Sequence, residues 1–229
     1  MEMTKGLSAK QIKAIDRYTI ESVGMPSLVL MERAAIATVE AMMKDFEFKS
    51  ALILCGTGNN GGDGIAVGRL LHQAGKAVTI CVVGDPERAS EETAAQLKIA
   101  RNLNVPCVYS LENSWPDDPD TLIVDALFGI GLDREVEDPY LEVIRRVNDG
   151  TFRTVAIDIP SGLSADNGYV FGAAVIADKT YSIGFFKKGF SSQESPAFTG
   201  EIQLLNIGYP PLTELAHIID QEESNGEQI

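Results

Sequence analysis

Residues Ser50 to Cys55 (SALILC) form an unbroken apolar run that empties into Gly56-Thr57-Gly58-Asn59-Asn60-Gly61-Gly62-Asp63-Gly64. An apolar run without alternation needs cover on both faces, as a strand inside a parallel sheet has. Glycines at 56, 58, 61, 62 and 64 let a ligand approach the main chain where a Cβ would obstruct it. From Ile65 the spacing of Ile65, Val67, Leu70, Leu71 and Ala74 predicts a helix over 64–74, with Gly75 placed to stop it. Strand, glycine loop and helix together make a seat for an anionic, nucleotide-like ligand, because free N–H groups and the helix dipole favour phosphate.

Gly56-x-Gly58-x-x-Gly61 also reads as a dinucleotide fingerprint, and by itself that reading is weak. The embedded Asn59-Asn60-Gly61-Gly62-Asp63 is more particular, since two amides and a carboxylate add directional polar groups that a plain phosphate cradle lacks. No Lys-Ser or Lys-Thr pair follows, so the segment is not a Walker A loop. The competing reading is a flexible turn, which Asn-Gly and Gly-Asp pairs mark anywhere.

After residue 50 strands and helices alternate. Strands are expected over 50–55, 77–83, 106–109, 121–125, 153–158, 179–184 and 201–206, and further helices over 90–103 and 138–148. Two helices precede them, one over Ser8 to Val23 behind a Ser8 cap and one from Pro26-Ser27 to about Asp45. The expected architecture is α/β, a Rossmann-like three-layer αβα sandwich with a mostly parallel sheet, preceded by two N-terminal helices. One domain over 1–218 is expected, followed by a frayed polar, acidic tail over 219–229.

Composition bounds the partners. A formal net charge of −14 argues against nucleic acid and anionic membrane, yet leaves room for a small anion held by backbone N–H groups or a cation. No stretch approaches a membrane span and no signal-peptide layout opens the chain, so a cytoplasmic protein is expected. Cys55, Cys81 and Cys107 match no zinc spacing and read as small core residues.

Two later strands repeat one design, an apolar run ending in a carboxylate and then glycine. Leu122-Ile123-Val124 leads to Asp125 and Ala126-Leu127-Phe128-Gly129, and Val155-Ala156-Ile157 leads to Asp158 and Ile159-Pro160-Ser161-Gly162. If the strands are parallel neighbours, Asn60, Asp63, Asp125, Asp158 and Ser161 gather on one rim, where such sheets bind ligands. Either Asp could instead only cap a turn. Ser161 lacks the Gly-x-Ser-x-Gly elbow and a nearby histidine, so it reads as a ligand oxygen rather than a nucleophile. Arg134 reads equally as a phosphate contact or a solvated residue. Lys187 and Lys188, amid Phe185, Phe186 and Phe190, read as solvated loop residues.

Taken together these segments resemble the NAD(P)HX epimerase family, also called the YjeF N-terminal domain family. The resemblance covers about Ser8 to Pro211 and rests on Leu30-Met31-Glu32, the CGTGNNGGDG run, Asp125-Ala126-Leu127-Phe128-Gly129, Asp158-Ile159-Pro160-Ser161-Gly162, Ala177-Asp178-Lys179-Thr180 and Gly200-Glu201-Ile202 to Ile207-Gly208. It implies interconversion of the two configurations of hydrated NADH or NADPH, upstream of a separate ATP- or ADP-dependent dehydratase, by a homodimer. Carried over by position, it assigns substrate contacts to Asn59, Asn60, Gly61, Gly62 and Asp63, to Gly129, Ile130, Gly131, Leu132, Asp133, Arg134 and Glu135, and to Asp158. It assigns a potassium ion (K+) to Asn60, Asp125 and Ser161, and Ile130 stands where relatives often carry Thr. Asp158 is the expected catalytic acid and base, with Asp125 kept ionised by the cation.

Two other functions fit parts of the pattern. One is a catalytically inactive nucleotide-binding or scaffold protein on the same fold, against which the intact polar set counts. The other is a redox enzyme using NAD(P), for which Asp85, 24 residues beyond Gly61, is a loose ribose ligand and no separate substrate domain is expected.

Overall fold

The structure, a computed structural model, describes residues 6–112 and 114–226. Its N-terminal helix α1 (Ala9–Glu21) starts at a capping box. Gln11 N–H donates to the Ser8 hydroxyl at 3.2 Å while Ser8 N–H donates to the Gln11 side chain at 2.9 Å. Helix α2 (Ser27–Asp45) follows, and then the alternating part: β1 (Ser50–Cys55), α3 (Asn59–Gln73), β2 (Ala77–Val82), α4 (Glu91–Asn102), β3 (Cys107–Val108), β4 (Leu122–Ala126), α5 (Tyr140–Asn148), β5 (Thr154–Ile157), β6 (Lys179–Ile183), α6 (Pro196–Thr199), β7 (Glu201–Leu205) and α7 (Leu212–Gly226).

The strands form one seven-stranded sheet in the order β3-β2-β1-β4-β5-β6-β7, and every pairing is parallel. Period-two alternation divides the core. Ala51, Ile53 and Cys55 of β1 and Leu122, Val124 and Ala126 of β4 face α2, α3 and α4, whereas Leu52, Leu54 and Ile123 face α5. This is the expected three-layer sandwich. Helices α1 and α7 pack on each other through Ile12, Ile15, Leu215, Ile218 and Ile219.

Two expectations are corrected. Helix α3 begins at Asn59 rather than 64, so the Asn-Asn-Gly-Gly-Asp segment is its first turn and not a loop. Glycine's low helix propensity hides this, and close packing overrides it: a Cβ on Gly61 would lie 1.9 Å from the Gly56 carbonyl oxygen. The stretch expected to fray from Ile219 is helical to Gly226, because Ile218 and Ile219 complete an apolar stripe buried on α1. Residues 227–229 lie outside the described residues. Among the described residues, no helix is long and apolar enough to cross a membrane.

Candidate active site

The carboxyl ends of β1, β4 and β5 lie side by side in the sheet, and the segments leaving them meet. The residue that precedes α3 at its cap position, Gly58, offers no side-chain cap. The N–H groups of Asn59 and Asn60 precede the first helical bond, from Gly62 N–H to the Gly58 carbonyl at 3.2 Å, and offer donors to an anion.

Behind this cradle the three polar side chains assigned to a cation come together. Asp125 is fully buried on β4. Its Oδ2 accepts from Ser161 N–H at 2.7 Å, and its Oδ1 accepts from the Ser161 hydroxyl at 2.6 Å and from Leu127 N–H at 3.2 Å. Ser161 Oγ in turn accepts from Phe128 N–H at 2.8 Å, and the Phe128 carbonyl accepts from Asn60 Nδ2 at 3.0 Å. Burial raises the Asp125 carboxyl to about 6 against the pull of the Ser161 and Leu127 donors. Among the described residues no lysine or arginine pairs with it. A buried carboxylate lacking a cationic partner, grouped with amide, hydroxyl and carbonyl oxygens, suits a weakly hydrated monovalent cation.

In front of the cradle a cleft of about 520 Å3 opens between the sheet edge and helices α1 and α2. Asn59, Asn60, Asp63, Asp158 and residues 129–134 line it, as do Lys13 and Asp16 of α1 and Tyr209 after β7. Gly61 and Gly62 do not. Gly61 packs on Gly56, and a Cβ on Gly62 would meet Met31 and Thr93. Glu135 also lies off the cleft, accepting from the Tyr169 hydroxyl at 3.1 Å. Ile130 sits in apolar clusters containing Ile12 and Leu163.

Asp158 has a left-handed backbone, with φ of 69°. This turns the chain out of β5 and aims the carboxylate at a residue that sequence reading mistook. Lys187 is not solvated: it is 1% exposed, forms an ion pair with Asp158 Oδ1, and donates to the Ser182 hydroxyl and the Ile183 and Phe185 carbonyls, each at 3.0 Å. Leu7 holds it there, because Leu7 N–H donates to the Phe186 carbonyl and Lys188 N–H to the Leu7 carbonyl, both at 2.8 Å. Asp158 Oδ1 also accepts from Ile183 N–H at 3.1 Å.

Two further carboxyls face the same space. Asp16, from α1, accepts a hydrogen bond from the Tyr209 hydroxyl, and burial raises its titration. Burial, followed by the charges of Asp158 and Asp16, pushes the Asp63 carboxyl well above the ordinary carboxylate range, opposed by Lys187. Among the described residues no hydrogen-bond donor reaches Asp63. Asp16, Lys187 and Tyr209 were absent from the sequence-level site. Only the position of Asp16 beside the Ile12, Ile15 and Thr19 stripe hinted at an inward acid.

The chemistry available is therefore an anion cradle, a buried carboxylate behind it that could hold a cation, a carboxylate in an ion pair and a second carboxyl without donors. Lys13 and Arg134 stand exposed at the mouth, suited to phosphate groups. Ser161 is buried and engaged with Asp125, which fits an oxygen ligand and not a nucleophile.

Comparison with known proteins follows the same lines. A family described as YjeF-related protein N-terminus matches residues 27–189. A Levilactobacillus brevis protein named NAD(P)H-hydrate epimerase is 42% identical over 207 residues, 90% of this chain and 95% of that one. One from Oenococcus oeni with the same name is 40% identical over 208 residues, 90% of this chain and 98% of its own length. The crystal structure of the yeast protein ynu0 superposes with a TM-score of 0.75 at 22% identity over 87% of both chains, a likeness of fold.

Proposed function

This chain belongs to the family of YjeF-related protein N-termini, and from that premise we infer that it is an NAD(P)H-hydrate epimerase, an isomerase. The observation that carries the reading is the convergence of Asn60, Asp63, Asp125, Asp158 and Ser161 on one rim, with the cleft in front. Its substrate is the hydrated dihydronicotinamide cofactor. The pyrophosphate rests on the N–H groups at the start of α3, where helix dipole and open donors favour it, and residues 129–134 line the cleft beside it.

Epimerisation requires the ring hydroxyl to leave and return. The ring nitrogen pushes out the hydroxyl as it is protonated, a planar cation forms, and water adds to the other face. Asp158 is the carboxylate we place at this carbon, held in position by Lys187 and Ile183 N–H. A positioned acid or base of this kind is worth about 10²- to 10⁴-fold. Potassium is the cation we assign to Asn60, Asp125 and Ser161. When bound, it would offset negative charge behind the cradle where a pyrophosphate must sit.

We place this repair in the cytoplasm, with a separate ATP- or ADP-dependent dehydratase consuming one configuration. A homodimer is proposed through α2, whose outward face exposes Val29, Ile36 and Met43 at seven-residue intervals, 44%, 42% and 42% exposed. The test of function is a mixture of both hydrates with a limiting dehydratase specific for one. Adding this enzyme brings consumption of both forms to completion, and persistence of the second form would refute the reading.

A further inference from the structure

Four carboxyls line the cleft; Asp133 is exposed at its mouth, while Asp16, Asp63 and Asp158 are recessed, and of these three only Asp158 belongs to an ion pair. The donors around each differ. Asp158 receives the Lys187 ammonium and Ile183 N–H. Asp16 receives the Tyr209 hydroxyl. Asp63, in the first turn of α3, receives no hydrogen bond among the described residues and has the other two acids as neighbours. A recessed carboxyl without donors, beside like charges, is satisfied by keeping its own proton. Pairs of acids whose surroundings differ in this way divide acid and base roles between them.

We propose that Asp63 is the proton donor that releases the substrate hydroxyl, and that Asp158 accepts the proton when water returns. This rests on the epimerase reading and divides a role that a single carboxyl would otherwise carry twice. The Asp63 proton passes to the hydroxyl oxygen, the carbon–oxygen bond breaks, and the ring-nitrogen lone pair becomes the second bond of C=N. Water leaves. A water then forms the new carbon–oxygen bond from the other face, the C=N pair returns to nitrogen, and the surplus proton goes to Asp158. Proton exchange with solvent restores both groups, so no oxidant, reductant or further reactant is consumed.

Asp63 has the position for this task. Its α3 turn also carries the anion cradle and Asn60, so one rigid element sets both the phosphate and the donor. The charged and titratable groups facing it are Asp158 after β5, Asp16 on α1, Lys187 after β6 and Tyr209 after β7.

The test follows a single hydrate configuration by proton NMR with wild type, Asp63→Asn and Asp63→Ala, each first checked by thermal melting. Asp63→Asn is expected to lower kcat about 10²-fold with little change in KM, and to lose the fall in rate that wild type shows as pH rises. Added formic acid is expected to restore part of the Asp63→Ala rate. A wild-type rate in Asp63→Asn overturns the proposal. So does a loss confined to KM without rescue, or the same loss and rescue in Asp16→Asn with Asp63→Asn unimpaired. Failure of the wild type itself to interconvert the hydrates would refute the epimerase reading, a separate outcome.

Discussion

Lys187 and Asp158 form a closed ion pair at the floor of the cleft. The ammonium has no exposure to solvent, and Asp158 is its only charged partner among the described residues. Removing one member of such a pair leaves a buried charge uncompensated. Lys187→Met is expected to lower unfolding stability by about 3 to 5 kcal/mol in urea titration. Combining it with Asp158→Asn should recover part of that loss, since both charges are then gone. Equal stability of Lys187→Met and wild type would show the pair to be solvated in solution.

Asp158 also occupies left-handed backbone space, at φ of 69°. Asn tolerates that region and Ala does not, because its Cβ crowds the following carbonyl without a local hydrogen bond in return. Asp158→Ala should therefore be about 1 kcal/mol less stable than Asp158→Asn by chemical denaturation. Indistinguishable midpoints would mean that the turn relaxes.

Asp63 makes stability depend on pH. Its folded titration lies well above the unfolded value of 3.8, so folding takes up a proton between the two. The stabilisation is complete below the unfolded value and is lost as pH rises through the folded one. Asp63→Asn lacks that loss. Its stability relative to wild type should climb with pH and level off once Asp63 has ionised, read as a difference in urea midpoints across a pH series. A pH-independent difference would place Asp63 in water. An enzyme made more stable by losing its proton donor is the trade expected of a strained site.

The proposed cation site predicts salt-specific stabilisation. Potassium chloride at ten times the dissociation constant should add about 1.4 kcal/mol over choline chloride at equal ionic strength. Asp125→Asn and Ser161→Ala should each abolish the difference in thermal melting. Equal effects of potassium and choline on the wild type would leave the pocket without a cation.

Much of the molecule was legible because the strands are fully covered. Val124 and Val155 belong to runs whose hydrophobicity leaves few alternatives, and their terminal acids mark the site edge. The rest depended on contacts distant in sequence. Lys187 and Lys188 look alike as a pair beside aromatics, yet the pairing of Leu7 with this segment turns the first inward and leaves the second exposed. The start of α3 was hidden by glycines that tertiary packing demands, and the end of α7 by acidic residues interleaved with Leu215, Ile218 and Ile219. Asp16 and Tyr209 meet across most of the chain, which no local pattern announces.

The most direct test of the central claim uses one purified configuration of the hydrate, followed by proton NMR without any dehydratase. Wild type is expected to generate the other configuration far faster than buffer alone, and Asp158→Asn, folded and still binding the hydrate, to lose about 10²-fold or more of that rate. Interconversion by Asp158→Asn at the wild-type rate would contradict the account.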